Sequence, residues 1–435
     1  MQWGQFIDHD LNLAPTYTGP GGSLLDCSAC DSAKENIGCY PILVPSADDF
    51  FPHSPFQKTC MKFVRSLPGQ QRLGPREQIN AISHFLDGSM VYGSDRCHAE
   101  EIRDQNSFLL KMSSNPADHP QRPMKPLLPF TSKNPECRAE DNQCFMAGDD
   151  RVNEQPGLTM MHTLFVREHN EIAKELALVN PHWDFERIFQ ETRKIVGAMI
   201  QHITYNEFLP RVLGSSKMTQ YDLEPRAFGY YDGYNPQCSN IIFNEFSTAA
   251  FRFGHSLIRA NLSLMDETDM HTGGKGLQIP LKKVFQNPYL IKSGFTIDNM
   301  VRGMAMSPME KMDHQISNEV ANHLFEVRGK QFSGLDLAAL NIQRGRDHGI
   351  PSYNKYRQMC GLLRAADFTH LTEIPPAWVD RLKRVYKNPN DIDLFTGLLL
   401  EKKLPGAMVG PTLGCLLAMQ FDQLRKCDRW VYITA

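Results

Sequence analysis

Residues 158–179 read Leu158-Thr-Met-Met161-His162-Thr-Leu164-Phe165-Val-Arg167-Glu168-His169-Asn-Glu-Ile172-Ala-Lys-Glu-Leu176-Ala-Leu-Val179. Leu158, Met161, Leu164, Phe165, Ile172 and Leu176 recur at the three- and four-residue spacing of one helical face, which predicts a long amphipathic helix. The same period predicts helices over 184–208, 247–262, 309–328, 352–364, 376–387 and 412–426. At Ser307-Pro308-Met309-Glu310 a capping residue, a proline at the first helical position and the acid of a capping box come together, which predicts a helix start. Alternating strands are scarce, apart from a short pair near 277–292. Residues 12–76 and 112–157 are dense in Pro, Gly, Asn and Asp without period and read as long loops. No internal repeat or low-complexity linker interrupts the chain. The expected class is mainly α with little β, in one large helical domain with long loops pinned by cysteines.

The composition agrees. The chain has 435 residues, 41% apolar and 22% charged, with 46 Lys and Arg against 49 Asp and Glu. That is globular composition, and a net charge of −3 gives no bulk electrostatic case for nucleic acid or an anionic membrane. No apolar run reaches 18 residues; the longest, Ala407–Met419, contains Pro411 and two glycines, which excludes a helical membrane span. Eleven cysteines fall in clusters: Cys27, Cys30, Cys39 and Cys60 crowd one loop, Cys137 and Cys144 bracket a hexapeptide, and Cys360 and Cys415 bracket a late segment. Clustered loop cysteines point to disulfides and an oxidising compartment. A zinc site at Cys27-x2-Cys30 lacks the second pair it needs. The tripeptide Asn261-Leu-Ser263 is a glycosylation acceptor pattern, consistent with secretion. Met1 leads directly into Gln2-Trp3-Gly4-Gln5 without a leader, and the cysteine count is odd, so the chain reads as a fragment.

Five runs carry chemistry-bearing residues. In Trp3-Gly-Gln5-Phe-Ile-Asp8-His9-Asp10, a helix would place Gln5 and His9 one turn apart and send Asp8 and Asp10 in different directions; a solvated helix end fits as well. Ser83-His-Phe85-Leu-Asp87-Gly-Ser89 sets oxygen-bearing groups, including the Phe85 carbonyl, at alternate positions. With a remote carboxylate such as Asp10 they would suit a hard cation, although an ordinary polar turn has the same composition. Arg151-Val-Asn-Glu154-Gln155 precedes the long helix, where a surface ion pair is the plainer reading. His162, Arg167, Glu168 and His169 lack the His-Glu-x-x-His order, so a zinc protease is excluded and structural histidines are expected. In Phe251-Arg252-Phe253-Gly254-His255, the glycine clears space for a flat body to approach the imidazole and Arg252 could meet an anion on it; a buried core histidine is the alternative. Asn341-Ile-Gln-Arg344-Gly-Arg346-Asp347-His348 is dense in charge beside apolar residues and reads as a buried polar network.

Taken together and in this order, the runs resemble the animal haem peroxidase family, from Trp3 to about Arg429, closest to its invertebrate, peroxidasin-like and chorion-type branch. The resemblance implies a peroxidase catalytic domain over residues 1–435, cut at both ends. His9 matches the distal histidine that moves the peroxide proton, Arg151 the distal arginine that stabilises the developing negative oxygen, and Gln5 the glutamine at the halide and water site. His255 matches the proximal iron ligand and Asn341 its ring partner. Arg252, with Arg344, would hold a haem propionate. Asp8 and Glu154 match the acids that esterify haem b. Asp10, Ser83, the Phe85 carbonyl, Asp87 and Ser89 match a calcium shell, with Ser83 where relatives often have Thr. Gln155 stands where myeloperoxidase has a methionine bonded to a haem vinyl group. Its absence implies a less oxidising haem, and iodide, thiocyanate, bromide or phenols such as tyrosine in preference to chloride. The resemblance also implies the disulfides Cys27–Cys39, Cys30–Cys60, Cys137–Cys144 and Cys360–Cys415, with Cys97–Cys238 as a further candidate and Cys427 without context.

The implied function is a secreted peroxidase that uses hydrogen peroxide to oxidise halides, thiocyanate or phenolic groups, including protein tyrosines, in oxidative-stress defence or in matrix or eggshell crosslinking. The alternative is an extracellular haem-binding matrix protein without turnover. A fatty-acid dioxygenase relative is disfavoured because that branch typically lacks the paired acids Asp8 and Glu154, and no nucleophile elbow supports a hydrolase.

Overall fold

The computed structural model describes residues 1–52, 59–70, 72–121, 123–229, 231–294 and 296–431. The architecture is mainly helical, and its strands form three two-stranded antiparallel pairs among the described residues. Two compact units are each assembled from separated stretches: Met1–Leu11, Phe85–Ile203 and Arg259–Glu310 in one, and Asn12–His84, Thr204–Ile258 and Lys311–Ala435 in the other. No described helix is long and apolar enough to cross a membrane.

In the first unit the helix Pro156–Val179 is the spine. Gln155 caps it, its side-chain oxygen accepting from the Gly157 N–H, and Pro156 occupies the first turn where no backbone donor is needed. Its fully buried face runs through Leu158, His162, Phe165, Val166, His169 and Ala173, while Met161, Leu164, Ile172 and Leu176 of the expected stripe are half-buried. The face is therefore rotated toward the histidines. His169 is a structural histidine as expected, meeting the Tyr92 hydroxyl at 2.9 Å and the Phe108 carbonyl at 3.2 Å. The helix Gln2–Leu11 packs on this spine through Phe6, whose ring lies 5.0 Å from Phe165 and 5.1 Å from His162. The helix Phe185–His202 packs beside it and runs into a π-helical turn, Ile203–Phe208, which matches the span expected for 184–208.

In the second unit the 3-10 helix Ala250–Leu257 is held by the helix Leu394–Leu400, which also packs on Tyr353–Met359. Gly397 permits that contact, since a Cβ there would run into the Tyr353 ring. The helices Pro376–Val385 and Pro411–Cys427 agree with the expected 376–387 and 412–426. Glu401 joins these parts: it accepts from the Tyr353 hydroxyl at 2.8 Å and from the Thr412 N–H at 3.0 Å, at the start of Pro411–Cys427. Burial, outweighing the hydrogen bonds from Thr412 and Tyr353, pushes its carboxyl up to about 7 from 4.5. The folded chain then binds more protons at this site than the unfolded chain between those values, so its contribution to stability falls as pH rises through that window. Glu401→Gln should flatten the pH dependence of unfolding between about pH 4.5 and 7 by on the order of 3 kcal/mol. Urea titrations of both proteins across that range measure the difference.

The structure corrects the expected secondary structure in several places. The run 309–328 is not one helix. Ser307 ends the helix Thr296–Met306, its N–H bonding back to the Gly303 carbonyl, and only Asn318–Ala321 is helical beyond it. Ser307-Pro308 is thus a stop signal, since proline is as suited to the residues after a helix as to its first turn. The span 247–262 breaks into Asn244–Thr248 and the 3-10 helix, and then becomes the strand Asn261–Leu264, which pairs antiparallel with Leu277–Pro280. The strand expected at 277 is therefore present, but its partner lies upstream, and 281–292 holds two 3-10 turns. Asn261 of the glycosylation tripeptide is half-buried on this paired strand. The span 352–364 stops at Met359 because Gly361, at φ +84°, turns the chain out of the helix.

The expected long loops are borne out, tied by the short pairs Ile42–Leu43 with Cys60–Met61 and Phe130–Thr131 with Cys144–Phe145; residues 53–58, 71 and 122 of those loops lie outside the described residues. The disulfides Cys27–Cys39, Cys30–Cys60, Cys137–Cys144 and Cys360–Cys415 are all formed. The candidate Cys97–Cys238 is not: Cys238 pairs with Cys427, and Cys97 is exposed as a free thiol. The correction follows from backbone position, because the Asn235 N–H bonds to the Lys426 carbonyl and brings the chain around 238 beside the helix end at 427.

Candidate active site

The first unit gathers His9, Arg151, Gln5, Asp8 and Glu154 around a residue that the motifs did not single out, Asp149. The helix Gln2–Leu11 supplies Gln5, Asp8 and His9, and the 3-10 turn Asp150–Asn153 supplies Arg151. Asp149 caps that turn and grips Arg151 with both oxygens, Nε at 2.9 Å and Nη2 at 2.8 Å. Its Oδ1 also faces His9 Nδ1 at 3.6 Å. Gly148 makes this placement possible, because a Cβ there would lie 2.5 Å from the Val91 carbonyl carbon. The missed signal was the Asp-x-Arg spacing directly after that glycine, which combines a cap with a bidentate clamp.

His9 is only 3% exposed, and its Nδ1 is buried without a hydrogen bond. Burial first, and Arg151 second, hold its pKa well below the usual histidine range against the opposing pull of Asp149. The ring is therefore neutral at pH 7, the form that can take up a proton. Asp149 is held far below the carboxylate range, since Arg151 and His9 overcome the effect of its burial. Arg151 stays firmly charged because Asp149 more than offsets its desolvation. Its Nη1 lies 4.0 Å from Asp8. Glu154 is pushed up to about 7, chiefly by burial, with Asp149 and Asp8 adding to it and Arg151 opposing. Its Oε2 accepts from Gln5 Nε2 at 3.0 Å and faces His9 Nε2 at 3.9 Å. Gln155 Nε2 donates to Gln5 at 2.9 Å and to Gln2 at 2.8 Å, so the residue in the methionine position is built into a glutamine cluster as well as the helix cap.

Asp10 points the other way, as its spacing from Asp8 implied. It is fully buried and accepts from the Gly88 and Ser89 N–H groups at 3.0 and 2.6 Å and from the Ser89 hydroxyl at 2.6 Å. Burial and the neighbouring Asp87 raise its pKa well above the ordinary value. Two carboxylates among hard oxygen donors suit a divalent cation that would relieve their repulsion. Phe85 begins this stretch of the first unit, whereas Ser83 belongs to the second.

The second unit holds His255, Arg252, Asn341 and Arg344. In the 3-10 helix, with three residues per turn, Arg252 and His255 fall in line. Arg252 donates to the Ser247 carbonyl at 2.9 Å and to Asn341 Oδ1 at 3.0 Å. Asn341 Oδ1, expected to accept from His255, accepts from Arg252 and also stands close enough to the ring to oppose the lowering of its pKa, although the buried His255 Nδ1 has no hydrogen bond of ordinary geometry. Burial and Arg252, against Asn341, push His255 down to about 3, which leaves a neutral imidazole suited to a metal. A Cβ at Gly254 would meet nothing within 4 Å, so the backbone before the ring is open, as the glycine implied. Arg344 joins a buried network. It donates to the Val64 carbonyl at 2.9 Å and to Asp347 at 3.2 Å, and His348 next to Asp347 bridges Asn244 at 2.7 Å and Ser66 at 2.8 Å.

Comparison with known proteins gives the family. The family model described as animal haem peroxidase matches residues 1–434. The chain belongs to the animal haem peroxidase family. It is 43% identical over 453 residues to the human protein named peroxidasin homolog, covering 99% of this chain and 29% of that protein. It is 39% identical over 444 residues to mouse eosinophil peroxidase, covering 99% of this chain and 60% of that one. The chain therefore spans under two thirds of these relatives. Among solved structures, peroxidase A from Dictyostelium discoideum superposes with a TM-score of 0.79 at 31% identity, covering 100% of this chain and 79% of the other. Fatty acid alpha-dioxygenase from Oryza sativa, at 19% identity, a TM-score of 0.72 and coverage of 100% and 68%, shares the fold. The neutral His255, with an open glycine beside it, has the chemistry that a ligand to a haem iron needs. The cluster of His9, Arg151, Asp8 and Glu154 fits a pocket for peroxide and a porphyrin edge.

Proposed function

We propose that this chain is the catalytic domain of a secreted peroxidase that reduces hydrogen peroxide and oxidises a small anion or a phenol. The Arg151–Asp149–His9 cluster carries this reading: a fixed, half-buried cation stands with a buried, neutral base. His9 takes the proton from peroxide and hands it to the departing oxygen, and Arg151 stabilises the negative charge that develops as the O–O bond parts. His255 would bind the iron of haem b, which supplies the electrons when bound. Arg252 and Arg344 would hold a propionate, and Asp8 and Glu154 would tie the ring through esters. Asp10, Phe85, Asp87 and Ser89 would hold calcium and so anchor the end of the helix that carries His9. The five disulfides support an extracellular setting. Protein tyrosines, in defence against oxidants or in matrix or eggshell crosslinking, are within the substrate range.

The test is peroxide-dependent oxidation of guaiacol and iodide by haem-loaded protein, with His255→Ala expected to lose the Soret band. A Soret band without turnover would favour the haem-binding matrix protein instead. Because Gln155 occupies the methionine position, bromide and iodide should be oxidised well ahead of chloride at neutral pH, and comparable chlorination would contradict the assignment. Gln155→Met should cost about 1 kcal/mol through the lost cap and remove one of the two bonds that Gln5 Oε1 accepts, which thermal melts and halide competition would register.

A further inference from the structure

The chain is nearly balanced in charge, yet residues 376–387 carry Arg381, Lys383, Arg384 and Lys387 against one acid, Asp380. All four cations are exposed on or just after the helix Pro376–Val385. Lys402 and Lys403 add two exposed cations at the other end of the helix: the Lys402 N–H bonds to the Glu373 carbonyl and its Nζ to the Thr372 carbonyl, which sets the pair beside the lead-in to the helix. Local acids are few or occupied. Asp380 is 3.4 Å from Lys383 and Glu373 is bound by Arg357. Arg381 lies 4.4 Å over the Trp378 ring, and Trp378 lies tilted against His314 at 3.7 Å, so one cation is already ordered. Favourable contact with the helix dipole accounts for Lys383 and Arg384 in the last turn but not for Lys387, Lys402 and Lys403.

We propose that this cationic face of the second unit binds a sulfated polysaccharide. The surface concentrates positive charge on a rigid element, which gives affinity for a polyanion although the chain as a whole is slightly acidic. Five disulfides place the folded chain in an oxidising compartment, where the abundant polyanions are sulfated glycans rather than nucleic acids. Val385 is the only large apolar side chain of this helix that stands exposed, which leaves no apolar face for insertion into a lipid surface. The proposal needs the fold and the disulfides but not the catalytic reading, and the two fail separately.

The test is titration calorimetry of the full chain with size-defined heparin at several salt concentrations. The quadruple variant R381Q/K383Q/R384Q/K387Q should bind about tenfold or more weakly, with a shallower salt dependence. The variant K111Q/K133Q/K174Q/K194Q, with the same loss of charge in the first unit, should keep wild-type affinity. The loop variant K402Q/K403Q, which leaves the helix untouched, should lose several-fold and guards against misfolding of the first variant. Heparin should also change the tryptophan emission, and Trp378→Phe should abolish that change. Equal losses in both quadruple variants, no heparin binding by the wild type, or equally tight binding of duplex DNA or anionic lipid vesicles would overturn the proposal.

Discussion

Asp149→Asn is expected to slow the reaction of the haem-loaded protein with hydrogen peroxide by about a hundred- to a thousandfold. The carboxylate makes two bonds to Arg151 and faces His9, so its loss disturbs the charge and the base together. An amide of the same size can accept at one oxygen only. The half-buried guanidinium then lacks its counterion and can turn toward Asp8, already 4.0 Å away. Because Asp149 acts through Arg151 and His9, its effect should add less than fully to that of Arg151→Ala. The pH profile should also move: the native Asp149 opposes the depression of the His9 pKa, so Asn at this position should lower that pKa further and shift the acidic limb downward. Stopped-flow peroxide kinetics across pH, on protein whose haem content matches the wild type, decide this. An unchanged rate would remove Asp149 from the machinery.

Asp347→Ala should destabilise the second unit by about 3–5 kcal/mol. Its side chain is fully buried and takes Arg65 Nε at 2.7 Å, Arg76 Nη1 at 3.3 Å, Arg344 Nη1 at 3.2 Å and the Ser66 N–H at 2.9 Å. One anion thus holds three guanidinium groups together, and Arg344 is already pushed down to about 10 by burial and by Arg252. Removing the anion leaves uncompensated cations around a void, a larger penalty than the net worth of any single pair. By contrast Asp380→Ala, at an exposed pair, should change stability by less than about 0.5 kcal/mol. Denaturant unfolding of the two variants separates the cases, and similar midpoints would show that the network is not structural.

Long periodic segments were legible because burial of one face dominates them: 156–179, 185–202, 376–385 and 411–427 follow the pattern of their apolar residues. Around His255 the reading failed on element type, because strand pairing at Asn261–Leu264 and the tight 3-10 turn are decided by partners distant in sequence. Ser307-Pro308 failed for another reason, since the same residues can end one helix or begin the next. Within the site, His9, Arg151, Gln5, Asp8 and Glu154 stand out only through the order of the motifs and the family they resemble, since each run alone reads equally as a solvated helix end or a surface pair. Asp149 does not, because its value lies in a clamp that needs Gly148 pressed against Val91. The pairing of Cys238 was hidden for a similar reason, as its partner lies 189 residues away.

That last bridge closes a ring of chain containing the 3-10 helix with His255 as well as the helix with Asn341. A protease that nicks an exposed turn anywhere between residues 239 and 426 would therefore leave two covalently joined pieces, which migrate as one band until a reductant is added. The domain is built to outlast a cut.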